Sequence, residues 1–585
     1  MQVSQPLISD YAFLSDCRSA ALVSLEGSVD WLCWPRFDSG SWLGRILDRK
    51  AGHFSIRPKG PYRTSRRYLP GTLILVTRFE TASGVVELQD WMHSGGRQAL
   101  CRLATCLEGS VEVEVELRLR PDYSRKGPKL KWLSGYWMAG KKKPVFADGL
   151  SDHIQPQQGT LRDSLTLEAG QQHGWSLGFR RPGPSEVQAS LKSTAEQWLD
   201  WSEDLQLPEQ YQKHTLISAL VLKGLQYKPS GAIVAAATTS LPESIGGQRN
   251  WDYRFSWLRD ASFAVYALRA VGKLDEGQEF TDWIRNLALA SEGKLQIMYG
   301  PDGEAELPEH ELDHLEGYMQ SSPVRIGNGA AGQRQLDVYG ELLDCLWMQR
   351  NSSGVAMNRH RAMLVSSIAD RVRVESRLTD EGIWEVRSGQ RHFTYSKVMC
   401  WVALDRAVRL SQLDPHNFSQ QKVAVWAEAR SALKREILRR GYNSQMQCFT
   451  QSYGSKDLDA ANLLLAQLGF ISRQDPRFVG TVEATLAHLT EDGLVRRYKL
   501  DSVPDGLQGE EAPFVICSFW LVSALHQIGK TEQAKQMFEK LLSLTNDLGL
   551  MSECVTAQGL QLGNTPQAFS HMALISCAHQ LSQAP

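Results

Sequence analysis

A chain of 585 residues is long enough for two or more domains and for at least one large hydrophobic core. Hydrophobic residues make up 42% and charged residues 22%, which is ordinary for a globular protein. The 64 basic and 65 acidic residues leave a net charge of -1, so the chain has no basic excess to follow a phosphate backbone, and nucleic acid is not an expected partner.

The ten cysteines are scattered, and no Cys-x-x-Cys or Cys/His cluster predicts a metal site or a cofactor. The first ten residues lack the basic and apolar regions of a secretory signal. No apolar run reaches the length needed to span a bilayer. We therefore expect a cytoplasmic protein with reduced thiols, no metal, no cofactor and no membrane partner. The oligomeric state is left open.

Residues 1–190 predict an antiparallel β-sandwich. Residues 111–120 alternate strictly between apolar and charged side chains, as in a strand with one buried face. Segments 72–79 and 84–88 are β-branched runs flanked by turn residues, and 20–34 has the pattern of a hairpin. Many short strands at close spacing are typical of a sandwich.

A linking helix is expected at 191–210, and residues 211–585 then show a helical period. Twelve segments are predicted: 214–227, 259–272, 275–291, 332–349, 357–373, 393–410, 419–439, 458–468, 478–489, 514–528, 530–544 and 566–581. Short and long connections alternate, so the helices form antiparallel hairpins with every long loop at one end. Without a repeat of fixed period to suggest a solenoid, we predict an (α/α)6 barrel whose long loops carry the function.

Two of these long loops contain glutamates suited to acid–base chemistry. Glu385 follows Trp384 in a loop bounded by glycines, and a carboxyl group against an aromatic wall loses solvation, which favours the neutral form that a general acid needs. The simpler alternative is an exposed loop glutamate near a buried tryptophan. Glu553 lies in the last long loop. Such a pair suits glycoside hydrolysis, with inversion at about 6.5–9.5 Å separation and retention at about 5–5.5 Å.

Arg259 and Asp260 are adjacent at the start of the second predicted barrel helix. One can donate hydrogen bonds to sugar hydroxyls and the other can accept them. The alternative is that Asp260 caps the helix while Arg259 forms a surface ion pair. Tyr253 and Trp257, just upstream, favour a sugar subsite.

Together these motifs resemble glycoside hydrolase family 15, the glucoamylase family. Residues 253–260 (YRFSWLRD) resemble the family's Tyr-x-x-x-Trp-x-Arg-Asp, which clasps the non-reducing glucose. Residues 383–385 (IWE) resemble the segment with the general acid, and 551–553 (MSE) the segment with the general base. Residues 495–498 (VRRY) resemble a Val-Gly-Arg-Tyr segment whose arginine binds substrate, and 27–38 resemble the start of trehalase-like members.

The resemblance implies a β-sandwich before an (α/α)6 catalytic barrel, with inversion of a terminal α-glucoside to β-glucose. Glu385 would be the acid and Glu553 the base. The implied substrate-binding residues are Tyr253, Trp257, Arg259, Asp260, Trp384 and Arg497. The family usually has Glu or Gln after the base, whereas this chain has Cys554, which puts the orientation of the base in question.

Our first expectation for the substrate is maltooligosaccharide or α-glucan, as for a glucoamylase-type exo-hydrolase. Trehalase is the close alternative, and an α-1,6 glucohydrolase acting on isomaltose or dextran is another. Two rivals are a non-catalytic carbohydrate-binding protein on the same scaffold and a toroid of the terpene-cyclase kind, for which no Asp-rich metal motif is evident. Whether the β domain contributes to the active site is left open.

Overall fold

The β domain comes first in the chain. The computed structural model describes residues 5–93, 95, 98–133, 135–140, 144–179, 186–291, 294–354, 357–500, 505–506 and 509–583. Within these ranges one antiparallel sheet has fourteen strands: β1 Ala12–Ser15, β2 Ala20–Val23, β3 Ser28–Cys33, β4 Ser41–Leu43, β5 His53–Pro58, β6 Tyr62–Tyr68, β7 Leu75–Thr81, β8 Gly84–His93, β9 Ala99–Arg118, β10 Leu130–Leu133, β11 Tyr136–Ala139, β12 Val145–Asp148, β13 Thr160–Glu168 and β14 Gln172–Gly178. The predicted antiparallel β domain is confirmed.

Strand β9 is the centre of this domain, because it pairs with β5, β8, β13 and β14. Val111, Val113, Val115 and Leu117 are buried, as their alternation with charged residues predicts. Strand β7 begins at Leu75 rather than at residue 72, because the backbone N–H of Thr72 closes a turn onto the carbonyl of Leu69.

The barrel of the helical domain is formed by twelve helical segments within the described ranges, and a linking helix precedes them. The linking helix is α1 Glu186–Ser202. The barrel helices are α2 Gln212–Leu225, α3 Ala261–Ala270, α4 Leu274–Ala290, α5 Asp337–Ser353, α6 Arg359–Glu375, α7 Thr394–Leu413, α8 Gln420–Arg440, a 3-10 helix Ala460–Leu464, α9 Pro476–His488, α10 Val515–Gln527, α11 Thr531–Ser543 and α12 Ala568–Ser582. The predicted (α/α)6 barrel is confirmed.

One predicted helical segment is shorter than expected and is a 3-10 helix. The segment expected at 458–468 begins as the 3-10 helix Ala460–Leu464, because its first turn closes with i to i+3 bonds such as Asn462 N–H to the Asp459 carbonyl. Asp459 fixes this start, since its side chain accepts from the N–H of Ala461.

Burial separates an inner from an outer ring of helices. In α7 and α10 nearly every residue is buried, whereas α8 buries only Trp426, Leu433 and Ile437. The last barrel helix, α12, packs on the first barrel helix, α2, and closes the ring. His571 of α12 and Ser218 of α2 are joined by a hydrogen bond of 2.9 Å. The long loops lead into the N-termini of the inner helices, so these loops meet at one mouth of the barrel.

The β domain supports one of these loops from behind. Trp31 of β3 donates to the carbonyl of Ala237 at 2.7 Å. Arg254, ion-paired with Asp252, donates to Tyr123 Oη at 2.6 Å and to the Ser39 carbonyl in the β domain. The β domain therefore fastens the loop that carries Tyr253 and Trp257.

Candidate active site

A cavity lies at the mouth of the barrel. It encloses about 740 Å³ of space between atoms, part of which is open to solvent. Its lining comes from five long loops of the helical domain: Ala235, Glu243, Arg249, Trp251, Tyr253, Trp257, Arg259, Asp260, Asn328, Ala330, Ile383, Trp384, Glu385, Val386, Arg387, Arg497, Tyr498, Asp505, Phe514, Gln567 and Phe569. All six residues predicted to bind substrate are among them.

The extended segment 251–254 points its aromatic side chains into the cavity. Its backbone is fixed by bonds of 2.8 Å from Ser240 N–H to the Trp251 carbonyl and from Ala236 N–H to the Tyr253 carbonyl. Alternate residues of extended chain face opposite sides. Trp251 and Tyr253 therefore share the cavity side, while the side chain of Arg254 points to the β domain.

Glu385 lines the cavity in a constrained conformation. Its φ is +57°, a left-handed value that non-glycine residues rarely adopt and that is common at functional sites. Trp257 Nε1 donates to Oε1 at 2.7 Å and Arg259 Nη1 at 3.3 Å. The side chain is 22% exposed, so it is neither sealed in nor a free surface group.

The aromatic neighbour of Glu385 is not the one expected. Trp384 turns its indole N–H to Asp459 at 2.9 Å and packs on Phe514 and Trp520. Trp384 thus forms cavity wall, and Trp257 is the ring that contacts the Glu385 carboxyl group.

Glu553 is buried beside the cavity, with 1% of its surface exposed. Tyr253 donates its hydroxyl to Oε1 at 2.6 Å, and the N–H of Asn564 donates to Oε2 at 3.2 Å. Gly563 is required here, because a Cβ at this position would lie 2.5 Å from Oε2 and its φ is +72°. Burial, and next the charge of Glu243, raise the pKa of Glu553, against the opposing effects of Tyr253 and Arg497.

The two glutamates flank a pair of aromatic rings. Tyr253 binds Glu553 and Trp257 binds Glu385, and the two ring centroids are 5.2 Å apart in an edge-on arrangement. Glu385 and Glu553, 168 positions apart in the chain, are thus linked through this aromatic pair, with Glu385 in the cavity lining and Glu553 buried behind Tyr253. Each carboxyl group is held by the aromatic donor nearest to it, and neither is hydrogen-bonded to the other among the contacts of the described residues.

Arg259 and Asp260 belong to the cavity rather than to the surface. Arg259 Nε donates to Asp260 at 3.2 Å; the side chain of Asp260 is buried and that of Arg259 is only 12% exposed. Burial raises the pKa of Asp260 to about 6, against the opposing charge of Arg259. The carboxylate of Asp260 bonds to Arg259 and not to the first turn of α3, so the helix-cap alternative is not what the structure shows.

Arg497 lies between two buried glutamates. It donates to Glu243 at 3.0 Å and also to both oxygens of Glu511. Its guanidinium group covers the ring of Trp384, with 5.7 Å from Cζ to the ring centroid. The arginine is therefore part of a charged wall of the cavity.

The sequence analysis left several lining residues unassigned, among them Glu243, Arg249, Trp251, Arg387 and Asp505. Arg249 and Trp251 lie in the long loop that carries Tyr253 and Trp257, and Arg387 lies in the loop of Glu385, so membership in these loops was their available signal. Glu243 and Asp505 also line the cavity but carry no local signal, because their ion pairs with Arg497 and Arg249 join distant parts of the chain.

Cys554 is buried in a short strand, Cys554–Val555, which pairs with Gln561–Leu562. The carboxylate of Glu553 is oriented by Tyr253 and Asn564, so its orientation comes from residues other than the one that follows it.

Within the described ranges no group of three or more His, Cys, Asp or Glu side chains is placed to hold a metal ion. In the same ranges, none of the helices has the length and apolar character that crossing a membrane requires.

Comparisons with known proteins identify the family of this chain. The family model "Glycosyl hydrolases family 15" matches residues 209–579, and the model "Trehalase-like, N-terminal" matches residues 3–164. A protein of Mycolicibacterium smegmatis named trehalase is 38% identical, over 99% of this chain and 92% of its own length. A trehalase of Thermoplasma volcanium is 31% identical, over 99% of this chain and 94% of its own length.

Among solved structures, a bacterial glucoamylase complexed with acarbose has a TM-score of 0.72. The match covers 99% of this chain and 96% of the other, at 13% sequence identity. At that identity the likeness concerns the fold, and it extends over both domains.

Proposed function

We propose that this chain, which belongs to glycosyl hydrolases family 15, is a trehalase that hydrolyses α,α-trehalose to two glucose molecules. The enzyme class is that expected from the sequence: a glycoside hydrolase of this family. For the substrate, the relatives favour the alternative, trehalase, over the first expectation, a glucoamylase. The observation that carries the proposal is 38% identity to a trehalase along both domains.

In the proposed reaction Glu385 is the general acid. It gives its proton to the oxygen that bridges the two glucose units, and the bond from this oxygen to C1 of the clasped glucose breaks. The leaving glucose departs as a neutral alcohol. The bonds from Trp257 and Arg259 fix Oε1, so the group is held in one orientation for the transfer.

Glu553 is the general base in this proposal. It accepts a proton from a water molecule whose oxygen bonds to C1 on the face opposite the leaving group. One proton leaves Glu385 and one arrives at Glu553, so the net reaction consumes one water. The clasped glucose is released as the β-anomer, while the leaving glucose keeps its α-configuration because no bond to its own C1 changes.

The clasp for the reacting glucose is proposed to consist of Trp257, Arg259, Asp260 and Arg497, with Tyr253 and Trp384 as walls. These side chains are buried or nearly buried and are fixed by hydrogen bonds or ring packing before substrate enters. A site fixed in advance loses little conformational entropy on binding.

The test is to incubate the protein with trehalose, maltose and isomaltose and to follow the anomers by proton NMR. We expect trehalose to be cleaved with the highest kcat/KM and to give equal amounts of α- and β-glucose at the first time points. Two α-glucoses would overturn inversion. Faster cleavage of maltose or isomaltose would overturn the substrate, and no cleavage of any α-glucoside would overturn the hydrolase.

We also propose that the protein works in the cytoplasm. All ten cysteines are unpaired, and nine of them are buried. Unpaired thiols are typical of reducing compartments. Cell fractionation with an antibody is the test, and recovery outside the cytoplasm would contradict it.

A further inference from the structure

One wall of the cavity contains a tryptophan in contact with two arginines. The Cζ atom of Arg325 lies 4.7 Å from the ring centroid of Trp251, and the Cζ atom of Arg387 lies 4.5 Å from it. Trp251 and Arg387 line the cavity. A ring in contact with two guanidinium groups is fixed in position by cation–π attraction.

Each arginine is itself anchored. Arg325 donates to the carbonyl of Gln248 at 2.8 Å, and Arg387 reaches Glu309 at 3.4 Å. The backbone N–H of Arg387 donates to the carbonyl of Asp505 at 2.7 Å. The position of the tryptophan therefore does not depend on a bound ligand.

A second polar group stands beside this ring. Arg249 donates two bonds to Asp505, at 2.7 and 3.1 Å, and Tyr498 donates its hydroxyl to the same carboxylate at 2.9 Å. All three residues line the cavity. This side of the cavity thus offers charged donors and acceptors suited to hydroxyl groups.

The position of this group follows from the chain. Trp251 is two residues from Tyr253 along extended backbone, which places it roughly 7 Å further along the same face. Arg387 is two residues beyond Glu385, the proposed acid. Trp251 and Arg387 therefore lie next to Glu385, and Trp251 is about two residues along the chain from the aromatic pair that binds the two glutamates.

We propose that Trp251, Arg387 and the Arg249–Asp505 pair form the subsite for the leaving glucose of trehalose. This inference rests on the proposed function and extends it to residues of the leaving-group side. Trp251 is fixed by the guanidinium groups against its ring and offers an apolar edge to the sugar. Arg387 and the Arg249–Asp505 pair supply the hydrogen bonds to its hydroxyl groups. Such a subsite suits the hydroxyl groups of a single hexose, as in trehalose.

The test compares two substrates that share the reacting glucose. Trehalose has a leaving glucose, whereas α-D-glucosyl fluoride leaves fluoride and has no second sugar. For Arg387→Met we expect kcat/KM on trehalose to fall about 10- to 100-fold, as for the loss of a charged hydrogen bond, with kcat/KM on the fluoride within about twofold of wild type. Arg387→Lys should recover part of the trehalose activity.

Arg259→Lys is the matched comparison, because Arg259 lies in the proposed clasp of the reacting glucose and should lower activity on both substrates. Arg387 is 36% exposed, and retention of the wild-type melting temperature shows that its variants fold. Equal loss on both substrates in Arg387→Met, or no loss on either, would overturn the subsite. A wild-type protein that hydrolyses the fluoride but not trehalose would overturn the proposed function, and with it this inference.

Discussion

Two buried clusters of charge show how differently the two domains use the same side chains. In the β domain, Arg102 binds both oxygens of Asp90, at 2.6 and 3.2 Å, and also the carbonyls of Phe54 and Gly27. One positive charge meets one negative charge, and both side chains are fully buried. This cluster is closed, because the bonds of the arginine are made within the domain.

At the barrel mouth the charges do not balance in the same way. Arg497 is shared between Glu243 and Glu511, and Glu553 next to them is held by a phenol and a backbone N–H. Excess carboxylate in a buried site raises the free energy of the ionised forms. The buried pair of the β domain is balanced in charge, whereas the mouth holds buried carboxyl groups in excess of its arginines, which costs stability.

The largest effect that would sharpen this contrast is the loss of turnover in Glu385→Gln and Glu553→Gln. Glutamine keeps the shape but cannot transfer the proton, so we expect kcat on trehalose to fall about 10²- to 10⁴-fold with the fold intact. Glu381→Gln, four residues upstream of Glu385, is the control and should keep activity. Unaltered turnover in either variant would refute the assigned roles. Circular dichroism checks the fold.

The second effect concerns the closed cluster. Asp90→Asn leaves the charge of Arg102 unpaired in the core, so the free energy of unfolding should fall by about 3–5 kcal/mol. Urea denaturation measures it, and kcat/KM of the folded protein should be unchanged. Glu112→Gln, which breaks an exposed pair with Lys59 in the same domain, should change stability by less than about 1 kcal/mol. Equal losses in the free energy of unfolding for Asp90→Asn and Glu112→Gln would show that the buried pair is no more important for stability than an exposed one.

The third effect tests the excess charge at the mouth. The charge of Glu243 raises the pKa of Glu553, while Tyr253 and Arg497 lower it. Glu243→Gln removes the negative charge, so the pKa of the base should fall. The acidic limb of kcat/KM against pH should move to lower pH by up to about one unit. A limb that stays in place, or that moves to higher pH, would show that Glu243 does not act on Glu553.

The smallest effect has the opposite sign. The hydroxyl of Tyr253 donates to Glu553 and lowers the pKa of that group. Tyr253→Phe removes this bond, so the acidic limb should move to higher pH, by about half a unit. The measurement is the same pH profile. If the acidic limb moved in the same direction in Glu243→Gln and in Tyr253→Phe, the two neighbours would not act through the charge of Glu553.

The periodic spacing of apolar residues predicted most strands and helices, because buried positions recur at a fixed interval along each element. The alternation at 111–117 marked the buried face of β9, and the helical period located the barrel helices. The segment at 458–468 failed because Asp459 closes a tighter turn than an apolar run indicates. Periodicity records which side is buried, and it does not record the hydrogen bonds of a helix start.

The site was predicted only in part, for a related reason. Glu385, Glu553 and the Arg259–Asp260 pair stand in motifs, whereas Glu243 and Asp505 acquire their role from arginines far along the chain. Trp251 lies in the loop that carries Tyr253 and Trp257, but its contact with Arg325 and Arg387 joins three separate loops. Contacts between loops depend on the assembled fold, which one sequence does not display.

The brace behind the mouth bears on how this protein can be engineered. Arg254 joins the loop of Tyr253 to the Ser39 carbonyl and the Tyr123 hydroxyl. A chimera that exchanges the β domain for that of a relative must therefore supply both acceptors at the same places. Without them the barrel would still contain every lining residue of the cavity, but the loop that carries Tyr253 would lose its support.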